Sequence, residues 1–500
     1  MLVIISDLHL TDGTSGSTIQ PGAFQIFADR LCETAERASW RADGRYQPIE
    51  GVELVLLGDV LDIIRSAQWL QSPTRPWDDP HSPEVTETVT TIVDRILTHN
   101  EPALSVLRAL ATEGAINVPA GDSRGRPLYE SAAHTVPLRL HYMVGNHDWH
   151  LHLPGTAYDM IRQKVAQHMG LASRIDMPFP HDPYECEALL DAQRSHGVFA
   201  RHGDIFDPIN FEGDRDGSSL GDVIVVQLVN RFALEVQNKL SDELPEAAIA
   251  GLREIDNIRP LLLVPVWIDG LLDRTCSSLS TRKKVKRIWD ELADEMLALP
   301  FVRDRDTWSP FDLVDGLSRA LKFSKRASLD WSIRITDWMH KIRGAKSASF
   351  YSHALAEPDF RNRRAQHIVY GHTHAAESVP LDASYADSFV LNQVYFNSGT
   401  WRRVYRQTQL ALGQHEFIPS ETMSYLSFFQ GDERGGCPFE AWNGMLGVDP
   451  AEGTNYRVDA PHARSQSLSP SNVQLRGPHF GSAGVGQTAA GASAGSRWVG

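Results

Sequence analysis

LVIISDLHL (residues 2–10) decides the reading of this chain. An apolar, largely β-branched run turns at Ser6 into two residues of metal-ligand type, Asp7 and His9. Short apolar runs bounded by polar turns read as buried strands. Residues two apart in an extended segment point the same way, so Asp7 and His9 can reach one ion.

The pattern of a strand followed by ligands returns along the chain. ELVLL (53–57) leads into GDVLD (58–62), LHYMV (140–144) into GNHD (145–148), GVFAR (197–201) into RHGD (201–204), and HIVY (367–370) into GHTH (371–374). Helical spacing lies between them at 21–40 and at 82–114, where Pro102 must break or kink the second stretch. Strand and helix alternate as far as the fourth block, which predicts an α/β core. In such sheets, sites collect outside the carboxyl ends of the strands, so separate strands can deliver ligands to one spot.

The candidate ligands are Asp7, His9, Asp59, Asn146, His202, His372 and His374. Carboxylate, imidazole and a neutral amide oxygen suit a pair of divalent cations. Two such ions side by side are a device for attacking phosphate esters. Asp59 can bridge them through its two oxygens, whereas His372 and His374 can serve the same ion or different ones. Two carboxylates bring roughly −2 against +4 from the ions, and the surplus favours an anionic substrate and a metal-bound hydroxide. His147 is the candidate to protonate the leaving oxygen, with Asp148 expected to orient it. A lone D-x-H arises by chance, and a lone GNHD suits a tight turn. The weight lies in five blocks in order, each after a strand-like run.

The set resembles the calcineurin-like metallophosphoesterase superfamily, whose D-x-H, G-D-x-x-D, G-N-H-[DE], H and G-H-x-H pattern is met at every block. The likeness spans about 1–205 and 345–430 and implies a two-sheet sandwich flanked by helices around a dinuclear centre. It implies that Asp7, His9, Asp59 and His374 hold one ion, and Asp59, Asn146, His202 and His372 the other. Manganese is the first expectation, with iron or zinc as alternatives. SDLHL, HGD and GHTH further resemble the bacterial UDP-2,3-diacylglucosamine hydrolase group. That group's main enzyme has arginine where this chain has His147, and a much shorter insertion, so its substrate is not carried over. The same five blocks also occur in double-strand-break repair exonucleases.

The chain has 500 residues, 42% of them hydrophobic, enough for a sizeable core with room for a second unit. Residues 206–345 separate two ligand blocks and carry apolar stripes at helical spacing: Val225, Leu228, Val229, Phe232, Val236 and Leu240, then Val285, Ile288, Trp289, Leu292 and Met296, then Leu329, Ile333, Trp338 and Met339. They predict a helical insertion, read as a cap near the site mouth, between core segments 1–205 and 346–455. The stretches 394–401, 404–412 and 423–429 read as closing strands. The Gly/Ser/Ala-rich stretch 456–500 predicts a disordered tail.

Net charge is −15, which disfavours nucleic acid as the general partner. The expected substrate is a phosphorylated small molecule or a lipid-linked phosphate ester or pyrophosphate. A nuclease using the same site, and a non-enzymatic scaffold using the insertion, are the alternatives. Arg282, Lys283, Lys284, Lys286 and Arg287 read as a solvated helix face. Arg65 and Arg201 are expected either to meet substrate phosphate or to pair with Asp62, Asp204 or Asp207. His150 and His152 are expected behind the ligands or at the surface. Four scattered cysteines, no signal-peptide pattern and no stretch long enough to span a bilayer predict a cytoplasmic protein.

Overall fold

The structure, a computed structural model, describes residues 1–131, 133–172, 177–259, 263–306, 314, 317–318, 321, 350–386, 389–411 and 414–446. The third expected stripe of the insertion and the expected tail at 456–500 lie outside the described residues.

The strands of the two larger sheets, in chain order, are β1 (Leu2–Ile5), β2 (Val52–Leu57), β3 (Leu138–Met143), β4 (Val198–Ala200), β5 (Ile258–Arg259) and β6 (His367–Tyr370). They are followed by β7 (Glu377–Ala386), β8 (Phe389–Asn397), β9 (Arg402–Ala411), β10 (Gln414–Phe428) and β11 (Phe439–Leu446). One sheet has the order β3-β2-β1-β10-β9-β5, with β11 also on β10; the other has the order β7-β8-β6-β4. β1, β2 and β3 are mutually parallel, and so are β4, β6 and β8. The five strands that precede ligand blocks are therefore parallel to their neighbours among the five, as the delivery of ligands to one edge requires.

Alternation along the strands builds the layers. Leu2 and Ile4 of β1, Val55 and Leu57 of β2 and Met143 of β3 pack against Val198, Ala200, Val369 and Phe396 of the second sheet. The opposite residues, Val3, Ile5, Leu54, Leu56 and Leu140, join a separate cluster with the helices. These strands are mostly apolar because both of their faces are covered, and their polar residues Glu53, Arg139 and His141 pair with one another. The covering helices are α1 (Gly22–Ala38), α2 (Pro83–His99), α3 (Glu101–Thr112) and α4 (Thr156–Met169). Phe24, Phe27, Leu31 and Ala35 form the buried stripe of α1. Ser82 caps α2, its hydroxyl accepting from Val85 N, and Pro83 follows at the first helical position. The break expected near Pro102 falls at Asn100, which ends α2, and Pro102 sits in the first turn of α3.

The stretch after β4 has its own apolar cluster. Its longer helices are α5 (Arg231–Leu240), α6 (Glu246–Leu252), α7 (Val264–Thr275) and α8 (Leu279–Leu297). Phe232, Val236 and Leu240 meet Val285, Ile288, Trp289, Leu292 and Met296 there, as the first two stripes predict. One detail departs from simple helical spacing. Ile224–Asn230 is π-helical, so Val226 enters the main core while Leu228 and Val229 stay in the insertion's cluster. The insertion is also joined to the first sheet: Ile258 and Arg259 of β5 pair with Tyr405 and Arg406 of β9. Strand β7 was not legible in sequence, since ESVPLDASYA carries a proline and no apolar run, and its register shifts between Pro380 and Asp382. Among the described residues no helix is long and apolar enough to cross a membrane.

Candidate metal centre

All seven expected ligands sit in turns just beyond the carboxyl ends of β1, β2, β3, β4 and β6. Backbone hydrogen bonds tie these turns together. Asp7 N donates to Gly58 O at 3.1 Å, His9 N to Asp59 O at 2.9 Å and Gly371 N to His202 O at 2.9 Å. Asp7, His9, Asp59, His372 and His374 all have φ between 45° and 66°, a region that costs non-glycine residues about 1–2 kcal/mol each. Asp7 and His9 therefore do not converge along an extended segment, as their spacing predicts, but from left-handed turns. Such strain persists where surrounding structure over-determines it, and it clusters at functional sites. Gly145 and Gly371 are needed for closeness. A Cβ on Gly145 would lie 2.4 Å from Asp59 Oδ1, and one on Gly371 would lie 2.6 Å from Asp7 Oδ2.

Of the four groups of side chains that converge tightly enough to hold an ion among the described residues, two share one carboxylate. The first is Asp7, His9, Asp59 and His374; the second contains Asp59, His202 and His372. In the first group, His9 Nε2 lies 3.0 Å from His374 Nε2, and His374 Nε2 lies 3.3 Å from Asp7 Oδ1. In the second, His202 Nε2 lies 3.2 Å from Asp59 Oδ2, and Asn146 Oδ1 lies 2.9 Å from His372 Nδ1.

The ring tautomers fit cations. His9 Nδ1 donates to Asp62 Oδ2 at 2.8 Å, and His202 Nδ1 donates to Leu57 O at 2.8 Å. Each neutral ring therefore points a bare Nε2 inwards, the arrangement by which outer partners orient metal-binding histidines. His202 Nε2 is buried without a hydrogen-bond partner. Lone pairs facing lone pairs and carboxylates need a positive charge between them. Protons can supply it: although burial opposes charging, Asp59 raises His202 to about 10. Divalent cations can supply it equally well from the same positions.

His147 and Asp148 part company. Asp148 does not orient His147, which corrects the expectation. It is buried, with Oδ2 accepting from Val60 N and the Tyr142 hydroxyl, and Oδ1 from Gly145 N. It thereby locks the GDVLD and GNHD turns to each other. The partner of His147 is Asp62, whose Oδ1 accepts from His147 Nδ1 at 2.6 Å while its Oδ2 serves His9. Burial works against the charge on both groups, yet their pairing raises His147 to about 10 and holds Asp62 well below the usual carboxylate range. Asp62 stands in the GDVLD block itself, three residues after Asp59; that spacing was the available signal for its role.

Other expectations resolve outside the ligand set. Arg201 pairs with Asp182 at 2.9 Å and Glu357 at 3.3 Å. Arg65 is buried, its Nε 3.7 Å from Asp256 of the insertion, and Arg402 donates to the same carboxylate at 2.8 Å. Arg65 meets the anticipated Asp62 through its backbone N, which donates to Oδ1 at 3.1 Å, whereas Arg201 makes none of the pairings anticipated for it. His150 is buried between Trp149 and Trp69, in the core and not behind a ligand. His152 is partly exposed and meets Asp216 at 2.5 Å. On the basic helix face, Arg282 pairs with Asp273, and Lys284 with Glu243 at 2.5 Å.

Beside Asn146 is a small, open depression whose walls include Trp149, His181, Phe211, Arg215 and Asp222. His152, His181 and Asp216 form a further close group; Arg215 donates to His181 Nδ1 at 2.6 Å, while His181 Nε2 lies 4.0 Å from Asp216 Oδ1. No model of a known protein family matches the chain, and no curated protein matches it.

Proposed function

We propose that this chain is a calcineurin-like, dinuclear metal-dependent phosphoesterase that hydrolyses phosphate ester or pyrophosphate bonds. The observation that carries the reading is Asp59, common to two convergent ligand groups. Asp7, His9 and His374 would complete one ion's ligands, and Asn146, His202 and His372 the other's. Manganese is the first choice and iron or zinc the alternatives. Two ions so placed supply charge neutralisation at phosphorus and acidify a water for attack.

The chain's own residues do the remainder. Asp62 fixes the His147 ring by Nδ1, which leaves the other nitrogen free to meet substrate. His147 then delivers a proton to the leaving oxygen. Asp148 holds the turn that carries both Asn146 and His147.

The test is a substrate panel on metal-stripped protein reloaded with Mn²⁺, Fe²⁺ or Zn²⁺. The panel holds p-nitrophenyl phosphate, bis-p-nitrophenyl phosphate, nucleotide-sugar diphosphates and single-stranded DNA. Turnover of phosphoesters that depends on added metal is the expected result. A protein that binds the ions but turns over none of these would leave the scaffold reading instead.

A further inference from the structure

We infer that Asp207, just inside the insertion, is a positioning residue for the second ion, acting through His372. The inference rests on the dinuclear reading above. Asp207 Oδ2 accepts from His372 Nε2 at 3.1 Å. Its carboxylate is aimed by its own turn: Ile209 N donates to Oδ1 at 3.0 Å and Asn210 Nδ2 to Oδ2 at 3.1 Å. An ionised carboxylate only accepts, so it takes the one proton of a neutral His372 at Nε2. That leaves the Nδ1 lone pair facing Asn146 Oδ1 at 2.9 Å.

Asn210 settles which way Asn146 points. Asn146 Nδ2 donates to Asn210 Oδ1 at 3.4 Å, which turns Asn146 Oδ1 towards His372. An oxygen lone pair against a nitrogen lone pair at this distance repels unless a cation lies between them. One turn at the start of the insertion therefore prepares both an imidazole and an amide ligand for the same ion. The first group draws its corresponding support from Asp62, inside the core. Carboxylate partners of metal-binding histidines fix the ring and raise its basicity, and removing one typically costs about 10–100-fold in metal affinity.

The experiment titrates the metal-stripped full chain with Mn²⁺. Ion count is read by elemental analysis, and the spin-coupled pair is distinguished from an isolated ion by electron paramagnetic resonance. The wild type should take up two coupled ions. Asp207→Ala should bind the first ion as the wild type does and the second about 10–100-fold more weakly, giving isolated-ion spectra at intermediate Mn²⁺. Asp207→Asn, which keeps an acceptor oxygen but not the charge, should fall between them. Asn210→Ala should weaken the same ion to a smaller extent. Two ions bound with wild-type affinity in Asp207→Ala, or both weakened equally, would overturn the inference. If Asp207→Ala does not fold, Asp207→Asn decides, and wild-type affinity there overturns it. A wild type that binds fewer than two ions would instead remove the dinuclear reading.

Discussion

The core and the insertion hold the ligand turns by different means. In the core the turns are bound to one another by backbone hydrogen bonds, such as Asp7 N to Gly58 O and His9 N to Asp59 O, over strands covered on both faces. The insertion has its own apolar cluster and meets the core through apolar contacts (Val226 in the main core, Trp267 on Tyr405, Phe301 on Trp77), a two-residue strand and a few polar side chains. Asn230 joins Arg65 and Ile64 O, Asp256 joins Arg65 and Arg402, and Asp207 joins His372. Backbone bonding survives most substitutions; a side-chain contact is lost with one. The backbone bonds between core turns should therefore survive single side-chain changes, whereas the polar contacts at the joint with the insertion can be removed one residue at a time.

The largest effect should come from the shared carboxylate. Asp59→Asn should lower the occupancy of both ions and abolish metal-dependent turnover. Elemental analysis and a hydrolysis assay check this, and a variant keeping full metal and activity would show that Asp59 is not shared. His147→Ala should lower kcat about 10²–10⁴-fold while most of the metal stays bound. The loss should shrink for p-nitrophenolate leaving groups, and equal losses on good and poor leaving groups would point away from proton delivery.

The joint comes next. Asp256→Ala leaves the buried guanidiniums of Arg65 and Arg402 without that counter-charge, and breaking a buried pair this way costs about 3–5 kcal/mol. Thermal unfolding should show a clear fall in Tm, and an unchanged Tm would mean that the joint carries little of the fold's stability. The smallest effect expected is at Asp62. Asp62→Asn should weaken the first ion about 10–100-fold through His9, because the amide cannot serve both His9 and His147 as an acceptor. Weakening confined to the second ion would contradict the support proposed here for the two groups.

Much of the core was legible because local sequence and tertiary environment ask for the same residues. Ile368, Val369 and Tyr370 of HIVY (367–370) have to be apolar because both faces of the strand are covered, and HIVY is strand β6 with the bounds its sequence suggests. The glycines beside Asp59 and Asp7 mark where backbone must approach carboxylate. The insertion was legible as helix but not in its junctions. Ile258–Arg259 is too short to show a strand period, and the π-helical turn at Ile224–Asn230 changes phase without changing composition.

The chain's sequence by itself determined the α/β order, the seven convergent residues and the helical character of 220–297, because each is written in apolar spacing or in short blocks with their own chemistry. Only the tertiary structure decided who supports whom. It assigned Asp62 to His147 in place of Asp148, put Asp148 to work as a lock between two turns, and brought Asp207 to His372 across 165 residues. The physical reason is that a carboxylate's partner depends on direction at about 3 Å, and direction is set by left-handed turns and packed layers, not by neighbours along the chain.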